Sequence, residues 1–86
     1  MMFTRANAPL SPGATIGILG GGQLARMLAQ AASRLGLNCH ILAPSKDSCA
    51  FDVVNRVTLA DYDDQDALAR FAKDCDVITY EFENVP

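Results

Sequence analysis

No Cys-x-x-Cys pair occurs in this sequence. Its three cysteines, Cys39, Cys49 and Cys75, are odd in number and widely spaced. That argues against a zinc site built on paired cysteines and against a thioredoxin-like redox role, and it suits a reduced, cytoplasmic setting. Basic residues are also sparse: seven Lys and Arg lie scattered against ten Asp and Glu, for a formal net charge of -3. No cluster of them matches a nucleic-acid backbone or an anionic membrane, so neither partner is expected. The N-terminus lacks a long apolar run. Residues 1–14, with one early arginine and with Pro9, Pro12 and Gly13 as punctuation, read as a flexible leader rather than a signal peptide or a spanning helix. The acidic run Asp61, Asp63, Asp64 and Asp66 reads as a solvated helix start, not a metal site.

What is present fits one small α/β domain. The chain has 86 residues, half of them hydrophobic, enough for a core but a marginal one at this size. A larger parent protein is therefore expected. Thr15–Leu19 is a short apolar run followed at once by three glycines, the pattern of a strand buried on both faces in a parallel sheet. From about Gln23 to Leu35, residues Leu24, Met27, Leu28, Ala31, Ala32 and Leu35 recur at helical period. This stripe reads as core packing, and Gly36 as the helix stop.

Asn38–Ala43 reads as a second strand ended by Pro44. His40 inside it has no partner at metal-ligand spacing and reads as structural, since a catalytic base needs a positioned partner. A short helical turn is expected near Ala50 to Val54, a third strand at Arg56–Leu59, and a helix from Asp61–Asp64 caps to about Lys73 with Ala67, Leu68, Phe71 and Ala72 inward. Asp76–Tyr80 is the fourth strand and runs into Glu81-Phe82-Glu83-Asn84. Such alternation predicts a Rossmann-like open parallel sheet with right-handed crossovers and strand order 3-2-1-4. The absence of a covering helix after the fourth strand reads as truncation within that domain, which spans residues 15–86.

The chemistry is carried by Gly20-Gly21-Gly22-Gln23-Leu24-Ala25, a G-x-G-x-x-A pattern between a strand and a helix. One glycine permits a tight turn, one lets a ligand approach the backbone, and Ala25 allows close helix–sheet packing. The free N–H groups of the helix start favour an anion. A NAD-type site also wants an acid about 20 residues on, at the end of the second strand. Here that stretch is Ile41-Leu42-Ala43-Pro44-Ser45, and Asp47 falls beyond the proline. The missing acid counts against NAD, and Lys46 makes only a thin case for NADP. In the 3-2-1-4 order the fourth strand lies beside the first, so Glu81 and Glu83 are expected to face the glycine turn across the switch-point crevice. If extended they share a side. They suit ribose hydroxyls or an amine rather than phosphate.

Two segments, Ile16–Leu28 and Asp76–Pro86, together resemble the 5-(carboxyamino)imidazole ribonucleotide synthase family of the ATP-grasp superfamily, also described as the phosphoribosylaminoimidazole carboxylase ATPase subunit. The resemblance covers about Thr15 to Pro86. It implies the N-terminal, pre-ATP-grasp domain of a ligase of purine biosynthesis. Such an enzyme uses ATP and bicarbonate to carboxylate aminoimidazole ribonucleotide, is commonly a homodimer, and binds ATP and Mg2+ outside this segment. It further implies that Gln23, Leu24 and Glu81, and less directly Gly20, Gly21, Gly22 and Glu83, hold the ribonucleotide, with no catalytic residue, metal or cofactor in this piece alone. The competing readings are the NAD(P)-binding domain of an oxidoreductase and a non-catalytic nucleotide-sensing module.

Overall fold

The computed structural model describes residues 2–4 as backbone and 12–80 in full. β1 (Met2–Thr4) precedes β2 (Thr15–Leu19), α1 (Gln23–Arg34), β3 (Asn38–Ala43), a 3-10 turn at Cys49–Val53, β4 (Arg56–Leu59), α2 (Gln65–Asp74) and β5 (Val77–Tyr80). The sheet order is β1-β5-β2-β3-β4. β5, β2, β3 and β4 are parallel, and their order is the expected 3-2-1-4 arrangement with β5 beside β2. β1 is an addition to it. It pairs antiparallel with β5, Met2 opposite Thr79 and Thr4 opposite Val77, where the sequence suggested only a loose leader. Residues 12–14 are held too: Gly13 N–H donates to Gly36 O at 2.8 Å, and Asn38 N–H to Ala14 O at 2.8 Å. A three-residue edge strand held by ladder hydrogen bonds to a distant partner leaves little local signal.

Alternation along the strands builds two cores. Ile16, Ile18, Cys39, Ile41 and Val77 face α1 and the 3-10 turn. Leu19, Leu42, Phe71 and Cys75 fill the α2 side. Gly17 lets α2 sit close, because an added Cβ there would lie 2.8 Å from Phe71 Cζ. Asp76 ties the sheet's lower end together: its N–H donates to Thr15 O at 2.8 Å and its carboxylate accepts from Thr15 N–H at 2.8 Å.

The helical period of α1 is as expected, but its buried face is not. Ala25, Ala29 and Ala32 are buried and Leu28 is partly so. Leu24, Met27 and Leu35, assigned to the core by their hydrophobicity, are 57%, 55% and 71% exposed. Two apolar stripes lie side by side on this helix, and the alanine stripe lets the backbone approach the sheet more closely. The C-terminus closes as a Schellman motif, with Leu37 N–H donating to Ala32 O at 3.0 Å and Gly36 N–H to Ser33 O at 3.1 Å. In α2, Ala67 and Phe71 are buried as expected, and Asp64 is the N-cap, accepting from Ala67 N–H at 3.1 Å.

Candidate functional site

The carboxyl ends of β2 and β5 leave the sheet together, with Leu19 opposite Tyr80. Between strand and helix the three glycines do separate work. Gly20 takes φ +126°, a backbone conformation that side chains resist, and its N–H donates to Leu42 O at 3.0 Å. At Gly21 an added Cβ would overlap Ser48 Cβ and lie 2.6 Å from Ser48 Oγ. Gly21 O also accepts from Ala50 N–H at 3.1 Å. The missing side chain at Gly21 therefore makes room for the following loop, not for a ligand. Gly22 is the position open to a ligand: an added Cβ there would meet nothing within 4 Å.

Gly22 is also the N-cap of α1, with no side chain capping the helix and no acidic residue in its first turn. The first helical hydrogen bond runs from Arg26 N–H to Gly22 O at 3.0 Å. The N–H groups of Gln23, Leu24 and Ala25 ahead of it have no acceptor within the helix. With the helix dipole behind them they form a place for an anion. The contrast with α2, capped by its own Asp64, is direct.

A crevice of about 370 Å³ opens beside this turn, between the ends of β2 and β3. Gly21 and Gly22 form one side, Ser45, Asp47, Ser48 and Cys49 a second, and Tyr62 from the β4–α2 loop a third. Ser48 Oγ donates to Ser45 O at 2.7 Å and Asp47 N–H to Ser45 Oγ at 3.2 Å, which shapes the loop. Cys49 Sγ lies 3.7 Å from both Gly21 O and Gln23 Oε1. Burial raises the Tyr62 phenol above its ordinary pKa, so at neutral pH it remains a hydroxyl.

The structure thus brings Gly21, Gly22 and Gln23 to the mouth of one crevice, with Leu24 exposed on the first turn of α1. Glu81 and Glu83 lie outside the described residues. Asp47, Ser48, Cys49 and Tyr62 were not expected here. Asp47, Ser48 and Tyr62 sit on loops without periodicity and Cys49 opens the 3-10 turn, and only the fold carries them to the glycine turn.

His40 belongs to a separate cluster on the α2 side of the sheet. It is 7% exposed. Its Nδ1 lies 2.9 Å from Asp74 Oδ2 and its Nε2 2.6 Å from Thr58 Oγ1. Arg56 hydrogen-bonds the other oxygen of Asp74. The partners that the sequence did not reveal are 34 and 18 residues away.

The family described as "Ribonucleotide synthetase preATP-grasp domain" matches residues 13–86. The chain is 60% identical over 77 residues to N5-carboxyaminoimidazole ribonucleotide synthase of Brucella melitensis, covering 90% of this chain and 21% of that protein. Among solved structures it is similar to N5-carboxyaminoimidazole synthetase from Staphylococcus aureus complexed with ADP. That match has TM-score 0.85 and 49% identity, over 90% of this chain and 21% of the other. It is also similar to N5-carboxyaminoimidazole ribonucleotide synthetase from Thermus thermophilus, with TM-score 0.77 and 52% identity, over 83% and 19%. The chain spans about a fifth of the length of these relatives.

Proposed function

The chain belongs to the ribonucleotide synthetase preATP-grasp domain family, and from that premise we propose that it is the substrate-binding N-terminal domain of an ATP-dependent carbon–nitrogen ligase. The ligase carboxylates the exocyclic amine of aminoimidazole ribonucleotide, with bicarbonate as the carbon source. The names of the relatives support the substrate and product class, and the ADP complex of the Staphylococcus aureus protein supports ATP. The observation that carries the reading is the uncapped start of α1 opening on the crevice beside the ends of β2 and β3.

In this reading the N–H groups of Gln23 and Leu24 and the Gln23 carboxamide orient the ribonucleotide. Gly22 leaves its approach open. Glu81, with Glu83 as its neighbour, accepts hydrogen bonds from hydroxyl or amine groups. The domain's catalytic contribution is positional: it holds the amine where carboxyphosphate made by the rest of the enzyme can react with it. ATP and Mg2+ bind in the larger remainder of the enzyme, which is cytoplasmic and dimeric.

The test is steady-state kinetics of the full-length enzyme. Gln23→Ala and Glu81→Ala are each expected to lower kcat/KM for aminoimidazole ribonucleotide by roughly 10-fold or more, the scale of a lost charge-assisted or substrate-orienting hydrogen bond. The KM for ATP should stay near wild type. Unchanged kinetics in both variants would sink the reading. The isolated 86-residue chain should not hydrolyse ATP, with or without the ribonucleotide.

A further inference from the structure

His40 joins three elements by its two ring nitrogens. It stands on β3, hydrogen-bonds Asp74 at the end of α2 and Thr58 in the middle of β4, and its ring lies 4.7 Å from that of Phe71 in an edge contact. β4 is the edge strand on this side, with only one of its four residues better than exposed. The same strand leads into the crevice. Ala60 N–H donates to Ala43 O at 3.1 Å, and Tyr62 follows as a crevice wall.

We propose that His40 is a proton-sensitive latch that holds the β4–α2 unit, and with it the Tyr62 wall of the crevice, against β3. In the neutral ring, Nδ1–H donates to Asp74 and Nε2 accepts from the Thr58 hydroxyl, so every polar atom is satisfied. Adding a proton turns Nε2 into a donor. The Thr58 hydroxyl must then rotate and find another acceptor, and a cation is left in a nearly closed site.

The charged groups around the ring are Asp74 from α2 and Arg56 from β4. On β2 its neighbour is Gly17, with the thiol of Cys75 packed over that glycine. Burial lowers the His40 pKa, Asp74 pulls it up by its hydrogen bond and its charge, and Arg56 lowers it again. The balance is below the ordinary histidine value. The closed latch therefore binds a proton more weakly than an opened, solvated one. Acid favours opening, and the effect begins as pH falls through the solvated histidine's value of about 6.5.

The latch stands on contacts outside the ligand site, and only its effect on the crevice rests on the proposed function. The chain has a single histidine, so the imidazole resonances in NMR report His40 directly. In the 86-residue chain, His40 is expected to titrate below about 6.5. Amide exchange at Val57–Leu59 and in the last turn of α2, corrected for intrinsic chemistry, should accelerate on the acid side as the pH falls below about 6.5. Ile18 and Ile41 should not follow. His40→Gln, which takes no proton, should abolish the pH step. Thr58→Val should move the imidazole titration. Should His40→Gln fail to fold, the wild-type titration and exchange still decide. An imidazole that titrates at or above about 6.5, or β4 exchange that stays flat through its titration, overturns the latch. Failure of aminoimidazole ribonucleotide to bind leaves these readouts unchanged and counts against the ligand reading alone.

Discussion

Ser48 occupies the space that a side chain on Gly21 would need: a Cβ built there would lie 2.6 Å from Ser48 Oγ and 3.1 Å from Ala43 Cβ. The glycine turn and the loop after β3 are thus one packed unit, and the crevice exists because they are.

Gly21→Ala should accordingly push the Ser45–Ala50 loop off the turn. The expected cost is about 1–3 kcal/mol of stability from overpacking, together with a loss of ribonucleotide affinity. Gly22→Ala meets open space at φ -85°, so its stability cost should stay within a few tenths to about 1 kcal/mol, as at other N-cap exchanges. Its effect should appear in affinity. Thermal melts paired with ligand titrations check both. Equal destabilisation by the two variants would contradict the separate roles assigned to these glycines.

On α1, Ala29→Leu should be the damaging substitution and Met27→Gln the harmless one, the reverse of what hydrophobicity suggests. Ala29 is 1% exposed in contact with the sheet, whereas Met27 is 55% exposed. Overpacking is expected to cost about 1–3 kcal/mol, and the surface change under about 0.5 kcal/mol. Denaturant melts of the two variants give the comparison. A larger loss for Met27→Gln would mean that the helix is rotated from the position described.

Asp74 carries a pH dependence of its own. Burial alone would raise its carboxyl, but the hydrogen bonds and charges of Arg56 and His40 outweigh it and hold the pKa below the ordinary value. A depressed folded-state pKa contributes stability that is present above about pH 4 and lost as the pH falls through the folded value. Asp74→Asn should lose about 1–2 kcal/mol at neutral pH, a figure reduced by the exposure of Arg56. The gap to wild type should close in strong acid. Urea melts across that range test it, and a gap that widens in acid has the wrong sign.

Much of the fold was legible because its signals are local. The strands at Thr15–Leu19, Asn38–Ala43 and Arg56–Leu59 are short runs rich in apolar or β-branched residues with turn residues beside them. Gly36 marked a real positive-φ position, one of the three turn glycines, Gly20, proved to be another, and Asp64 marked a real helix cap. Parallel order followed from alternation, since crossovers are short and right-handed. β1 was not legible, because an edge strand of three residues is held by its partner rather than by its own composition.

The sequence by itself determined the strand–glycine–helix unit, the helical period of α1 and the placement of β5 beside β2, all consequences of backbone preference and of burial on two faces. Tertiary structure alone decided which of two apolar stripes on α1 is buried, since both share one period and only the distance to the sheet separates small from large side chains. It also decided that Gly21 yields to Ser48 and Gly22 to solvent, and that His40 has Asp74 and Thr58 as partners. Those contacts join residues 18 to 34 positions apart, and nothing along the chain signals a contact that only folding brings within hydrogen-bond reach.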